Sequence, residues 1–247
     1  MTILVTGGTK GIGLAIAKRL ALPGETLLLG YLGDDLAAEE AVKAIEAGGA
    51  YAHAVRADLG SIEGAETVMA AVGGLGQPLT CLVHSAAMIY PTSLLDADLG
   101  RFTQAVQTNG LSLLYLVQKA LPHLAADSSI VFISSAGART VSPRYGALGA
   151  GKALAENLIR YLAVELAPRG VRINAVAPGL VRTSSVASMV GGEVAAEQVF
   201  ERAARSNPSG RMSRDEDYTE LVAFLAGPGA RFVQGQVIHA NGGAFIA

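Results

Sequence analysis

A short β-type run at residues 3–5 breaks into Thr6-Gly7-Gly8-Thr9-Lys10-Gly11-Ile12-Gly13 and then into the helical pattern LAIAKRLAL. Few local patterns restrict a chain more. Glycines let a backbone turn tightly, approach a pyrophosphate closely and pack a helix on a strand, while unpaired N–H groups at the helix start face an anion. Strand, glycine turn and helix in that order lift the motif above chance. Gly7, Thr9, Lys10, Gly11, Ile12 and Gly13 are therefore expected to line a dinucleotide site; the alternative is a glycine-rich turn without a ligand.

The remainder of the chain decides between the two. Further β-type runs occur at residues 25–30, 51–55, 79–83, 129–133, 171–176 and 236–240, each separated by helical or turn-rich sequence. Residues 101–124 read as one long apolar-faced helix carrying Asn109, and residues 149–166 as another. Alternation of this kind predicts an α/β fold of Rossmann type, one doubly wound parallel sheet of about seven strands with right-handed crossovers. No linker interrupts residues 1–247, so a single domain is expected. A hydrophobic fraction of 51% with 16% charged residues fits a sheet buried on both faces and contacts between subunits, so a homo-oligomer, dimer or tetramer, is expected.

Ligands in such sheets bind at the carboxyl ends of the strands, and the polar residues of this chain gather there. At the end of the second strand stands Tyr31, where dinucleotide folds often carry an acid that binds the ribose 2′-hydroxyl; Asp34 and Asp35 come later. With Lys10 placed to meet a 2′-phosphate, NADPH is favoured over NADH, although Lys10 also reads as a solvated turn residue. Asp58 either accepts from the adenine amino group or caps the next helix. His84 closes the fourth strand as a hydrogen-bonded structural residue, and the small Ser85 and Ala86 leave room for a cofactor. Ser134 and Ser135 end the fifth strand, followed by a phenol at Tyr145 and an ammonium at Lys152. Residues 182–211 lack strand character and are rich in small apolar side chains, as a lid over an acyl chain would be.

The formal charge of −2 gives no reason to expect nucleic acid or an anionic membrane surface as partner. Cys81, the single cysteine, reads as a buried inert thiol and excludes an intrachain disulfide; no metal site is expected. With no apolar run near the ~20 residues that span a bilayer and no leader-like start, a cytoplasmic protein is expected.

The motifs together, TGGTKGIG, Asn109, ISS at 133–135, the Tyr and Lys pair, RINAVAPGLVRT at 172–183 and GQVIHANGG at 235–243, resemble the short-chain dehydrogenase/reductase superfamily along essentially the whole chain. Most members place the tyrosine four residues before the lysine. Here that position is Leu148, and counting back seven reaches Tyr145. A Tyr-x6-Lys pair, with IRYLAVELAPRG after the lysine and NPSGRM later, is similar to the enoyl-acyl-carrier-protein reductase branch. On a helix, offsets of four and seven return to roughly one face, the longer adding ~4.5 Å of axial reach, which suits an oxygen displaced from the hydride-accepting carbon. The resemblance implies NADPH-dependent reduction of an enoyl thioester, carried on acyl carrier protein or coenzyme A. It implies that Tyr145 meets the substrate oxygen, Lys152 holds the nicotinamide ribose, Ser135 assists, and Asn109 steadies a water relay. Thr183 would hold the carboxamide, with Leu59, Pro178 and Gly179 also against the cofactor. The usual Asn-Asn-Ala-Gly is His84-Ser85-Ala86-Ala87, a departure on the adenosine side. Because Ser135 and Asn109 are kept, a carbonyl reductase or alcohol dehydrogenase of the same superfamily is the alternative; a non-catalytic regulatory protein, prompted by Leu148, is the third reading.

Overall fold

The computed structural model describes residues 1–246. Seven parallel strands form one sheet in the order β3-β2-β1-β4-β5-β6-β7. They are β1 (Thr2–Thr6), β2 (Thr26–Tyr31), β3 (Tyr51–Arg56), β4 (Leu79–His84), β5 (Leu124–Ile133), β6 (Arg172–Pro178) and β7 (Val237–Ala240). The helices are α1 (Gly11–Leu20), α2 (Asp35–Glu46), α3 (Ile62–Gly74), α4 (Leu99–Val106), α5 (Ser112–Ala120), α6 (Gly146–Leu166), α7 (Ser184–Val190), α8 (Glu193–Ser206) and α9 (Asp215–Ala226). Each of the seven expected runs falls on one strand, although β5 begins at Leu124, five residues before its expected start.

Side chains alternate across a strand, and the apolar runs are dense enough to bury both faces. Leu4, Leu28, Leu82, Ile130, Phe132 and Ile173 pack with Val68, Leu113, Leu116 and Ile159 on one side. Ile3, Val5, Leu27, Leu29, Val83, Val131 and Val176 pack with Ile16, Ile45, Tyr218, Val222 and Leu225 on the other. Helix layers on both faces are what a parallel sheet requires. β1 lies between β2 and β4, with Thr6 beside both Gly30 and His84. The winding reverses there, and a crevice opens above the strand ends at that point.

The long helix expected over residues 101–124 is not continuous. α4 and α5 are joined by a wide π turn, Gln107–Leu111, and the chain has left the helix before β5 begins at Leu124. The cause lies in two side contacts. Asn109 Oδ1 accepts from the Met88 N–H and its Nδ2 donates to the Met88 carbonyl, both at 2.9 Å. Gly151 of α6 meanwhile lies so close that a Cβ there would stand 2.6 Å from Asn109 Cβ. A widened turn, common where helices carry functional groups, lets the apolar stripe continue through both contacts.

α6 begins at Gly146, three residues before the expected start. Within residues 182–211, expected to form a lid, the chain folds as α7 and α8 around Ala187, Ala196 and Phe200, turning at Gly191 and Gly192 with φ of +95° and +133°. Among the described residues no helix is long and apolar enough to cross a membrane.

The contact of α6 with the π turn has a measurable consequence. Gly151→Ala overpacks it, at a cost of ~1–3 kcal/mol, and a domain of this size moves by ~2–4 °C for each kcal/mol. A melting temperature several degrees lower is expected in thermal denaturation; an unchanged one would mean that the π turn yields freely.

Candidate functional site

The glycine turn is closed by contacts no side chain would allow. Gly7 adopts φ +62°, and a Cβ on it would sit 2.9 Å from the Ala86 backbone; one on Gly13 would sit 2.1 Å from the Gly7 carbonyl oxygen. Gly11, at φ +49°, faces Thr183 across the crevice, its would-be Cβ 3.3 Å from Thr183 Cγ2. The first and sixth strand ends thus meet over one groove. α1 opens without a side-chain cap or an acid in its first turn, which leaves main-chain N–H groups and the positive end of the helix dipole for an anion. Thr9 is buried in the turn, and Ile12 packs partly against the core. These residues fit the pyrophosphate of a dinucleotide.

At the β2 end Lys10 is ion-paired with Asp34 rather than free. That pairing, followed by the Ala37 N–H at 3.0 Å, holds the Asp34 carboxyl below its ordinary range. Tyr31 donates to Asp35 Oδ1 at 2.9 Å, so the phenol is turned toward α2. Arg56, which sequence reasoning passed over, donates to the Leu32 carbonyl at 3.0 Å and lies 3.7 Å from Asp35. Asp58 does not cap α3; Ser61 does, accepting from Gly64 N–H at 3.0 Å, while Asp58 Oδ1 accepts from Gly60 N–H. Leu59 points into the core, so only its backbone can meet a ligand. Ser85 and Ala86 donate their N–H groups to Thr6 Oγ1 at 3.2 and 3.3 Å. Pro178 ends β6, and Gly179 donates to the Ala240 carbonyl at 2.9 Å.

His84 is fully buried between Thr6 Oγ1 at 2.6 Å and Ser112 Oγ at 2.7 Å. The Ser112 hydroxyl proton goes to the Thr108 carbonyl, so its oxygen accepts from Nε2–H, and Nδ1 accepts from Thr6. Burial, aided by the charge of Lys152, pushes the imidazole down to about 3. It is a neutral strut between the glycine turn and the π turn, as expected of a structural histidine.

Four candidate catalytic residues converge beyond it. Tyr145 stands just outside α6 as its N-cap, at φ −92° and ψ −1°, and its hydroxyl donates to Ser135 Oγ at 3.0 Å. Ser135 Oγ also accepts from the Gly137 N–H at 3.2 Å. Burial raises the Tyr145 phenol above its ordinary value, against a smaller opposing effect of the Ser135 bond. Lys152 is 4% exposed. It donates to the Ile133 carbonyl at 2.7 Å, lies 4.4 Å from the centre of the Phe132 ring, and is lowered to about 7 by burial. Asn109 lies against Gly151, next to Lys152, with its amide spent on Met88. Leu148, at the four-residue offset, is a buried apolar side chain.

Sequence reasoning missed Glu156 and Arg139. Their only signal was an acid one helical turn beyond Lys152. A cavity of about 610 Å³ opens at the amino ends of the strands, among Ile3, Arg19, Cys81, Arg172 and Phe224, whereas ligands of such sheets bind outside the carboxyl ends, where the glycine turn and Ser135 lie. Among the described residues no cluster of three potential ligands could hold a metal ion.

The chain is similar to known proteins along nearly its whole length. Residues 7–244 match a family model described as enoyl-(acyl carrier protein) reductase. The 3-oxoacyl-[acyl-carrier-protein] reductase FabG of Staphylococcus aureus is 31% identical over 98% of this chain and 97% of its own. LugOII, a promiscuous reductase catalysing keto-reduction at C1 during lugdunomycin biosynthesis, superposes with a TM-score of 0.88 at 31% identity, covering 99% of this chain and 98% of that one. A short-chain dehydrogenase from Burkholderia cenocepacia J2315 in complex with NADP superposes with 0.86 at 32% identity over 98% and 96%. The glycine cradle and the seven-stranded parallel sheet, together with matches over nearly the whole length, make this chain a member of the short-chain dehydrogenase/reductase superfamily, an NAD(P)-dependent oxidoreductase.

Proposed function

We propose that the protein reduces the carbonyl of a 3-oxoacyl thioester or a related ketone with NADPH. The observation that carries this reading is the contact of the Tyr145 hydroxyl with Ser135 Oγ at 3.0 Å. Two hydroxyls so close can reach a common acceptor, and a ketone offers one oxygen, attached to the carbon that is reduced. Ser135 Oγ accepts from Tyr145 and from Gly137 N–H, so its own proton is left to donate outward. Tyr145 stays protonated near neutral pH, held there by burial, and can turn its proton from Ser135 to the substrate oxygen as negative charge develops. When bound, the dinucleotide supplies the hydride. Lys152 would hold the nicotinamide ribose and favour loss of the tyrosine proton through its charge. Asn109 keeps the π turn against α6, Thr183 and Gly179 border the nicotinamide end of the groove, and α7 with α8 forms the lid.

The expectation that enoyl reduction leads is thereby moved to second place. It keeps two supports, the buried Leu148 at the usual tyrosine position and the description of the matching family model. In that reading Tyr145 meets a thioester oxygen two carbons from the reduced centre. The non-catalytic alternative loses its motive once Tyr145 reaches Ser135 from outside the helix. For NADPH the support is Lys10 and Arg56 at the ends of the glycine turn and β3, and the NADP bound by the Burkholderia relative; Asp34 must release Lys10. A homo-oligomer fits the exposed Tyr161 and Val164 on α6 and Phe232 before β7.

Acetoacetyl thioester is expected to drive NADPH oxidation and crotonyl thioester not to; oxidation by crotonyl thioester alone would establish the second reading. Tyr145→Phe is expected to lower kcat by ~10²–10⁴, the usual worth of a positioned acid, with NADPH binding retained in a fluorescence titration. Steady-state kinetics of Lys10→Ala should show KM rising for NADPH and holding for NADH, and Asp34→Asn should lower KM for NADPH; equal changes for both cofactors would remove Lys10 from 2′-phosphate recognition.

Lys152 also predicts a pH effect on the cofactor-free protein. Its folded value of about 7 lies below the 10.5 of the free side chain. Between these limits the unfolded chain binds a proton that the folded chain has lost, so this group makes stability rise with pH across that window and is flat below it. The melting temperature is expected to rise from pH 7 toward pH 9 relative to Lys152→Met, whose profile lacks this component.

A further inference from the structure

We propose that Glu156 is a positioning residue for the Ser135–Tyr145 pair, acting as the second point of a clamp whose first point is Lys152. The two side chains stand one helical turn apart on α6, both almost fully buried. Lys152 grips the Ile133 carbonyl. Glu156 Oε1 accepts from Ser134 Oγ at 2.6 Å, and its Oε2 accepts from Arg139 Nε at 2.9 Å. Ser134 and Arg139 bracket Ser135 and the tight turn Ala136–Ala138, so one helix face holds that loop at both of its ends.

The loop has little room to move independently. A Cβ on Gly137 would lie 2.4 Å from Tyr145 Cε1, and one on Gly149 would lie 2.5 Å from the Gly137 carbonyl oxygen. The phenol ring thus rests on the turn, and the turn rests on α6. Because Gly137 N–H also bonds Ser135 Oγ, a shift of the turn moves both hydroxyls together. A carboxylate 3% exposed is costly to bury without a counter-charge. Arg139, whose side chain is 36% exposed, supplies that charge from the loop itself, so the ion pair holds only with the loop in place. Packing alone would be served as well by an apolar residue in a helix facing the sheet.

The inference rests on Ser135 and Tyr145 acting in reduction, and the test separates the two claims. Glu156→Ala, Glu156→Gln and Arg139→Gln are compared in the full-length chain by steady-state kinetics, NADPH fluorescence titration, thermal melting and crystallography. Misplacement by ~1 Å can cost ~10²-fold. Glu156→Ala is therefore expected to lower kcat by ~10- to 100-fold, with the affinity for NADPH kept and the Ser135–Tyr145 separation widened from 3.0 Å. Glu156→Gln, which still accepts from Ser134, should retain more activity than the alanine variant. An unchanged separation in Glu156→Ala overturns the clamp, whatever the activity. A widened separation with intact kcat leaves the clamp standing and overturns the catalytic reading of the pair. If Glu156→Ala does not fold, Arg139→Gln, altered at the surface, carries the same test: an unchanged separation and kcat overturn the clamp.

Discussion

The cluster at the end of β5 depends on one buried lysine, Lys152. Lys152 has lost nearly all its water, and in return it has a main-chain carbonyl at the end of β5 and the face of Phe132. Neither partner is an anion, so burial lowers the ammonium toward neutrality. Interiors tolerate such a group only where it is satisfied or able to shed its proton. The consequence is mechanical as well as electrostatic: α6 is fastened to the strand that delivers Ser134 and Ser135. Every other group in the cluster, from the Tyr145 cap to Asn109, is located relative to that helix.

The cofactor side is built differently, from absences of side chains rather than from a buried charge. Gly7 and Gly13 close the turn over Ala86 and over itself, and Thr6 draws the β4 exit inward by accepting from Ser85 and Ala86. His84 then links this turn to Ser112 and the π turn that holds Asn109. The departure from the usual Asn-Asn-Ala-Gly is thus absorbed by a ring that spans the gap with one acceptor and one donor. The two halves, one shaped by backbone approach and one by α6, meet at the π turn, which His84 reaches through Ser112 and α6 reaches by the packing of Gly151 against Asn109.

The strands and the glycine turn were legible because they depend on local pattern, dense apolar runs of strand length and glycines where only glycine fits, whereas the strand order β3-β2-β1-β4-β5-β6-β7 depends on the crossovers. The contact of Tyr145 with Ser135 follows a pairing that only the resemblance to a family implied, since neither residue type is rare in the chain. The π turn was not legible, since an apolar stripe at helical spacing passes through a widened turn almost unchanged, and its causes, Met88 and Gly151, are distant in sequence. The Asp34 partner of Lys10 was likewise hidden: both residues were noted, but the contact depends on how the glycine turn and the β2 exit lie side by side. Glu156 escaped because a lone acid in a helix ordinarily faces water.

Tyr145 shows how a spacing can be read correctly and its geometric meaning still change. On a continuous helix a seven-residue offset displaces the phenol by ~4.5 Å along the axis relative to a four-residue one. Tyr145 is not in the helix. The residue before it, Arg144, takes φ +60°, a left-handed conformation that costs a non-glycine residue ~1–2 kcal/mol. Arg144 is held there by the Thr92 N–H donating to its carbonyl and by its guanidinium donating to the Pro91 carbonyl, both at 3.2 Å. This kink turns the chain so that the Tyr145 ring lies back across Gly137 instead of continuing the helical row. The phenol therefore reaches Ser135 from outside the helix, so the axial displacement expected of a continuous helix does not describe its position. Arg144 stores this strain directly beside the Ser135–Tyr145 contact, and a non-glycine residue keeps such a conformation only where its surroundings over-determine it.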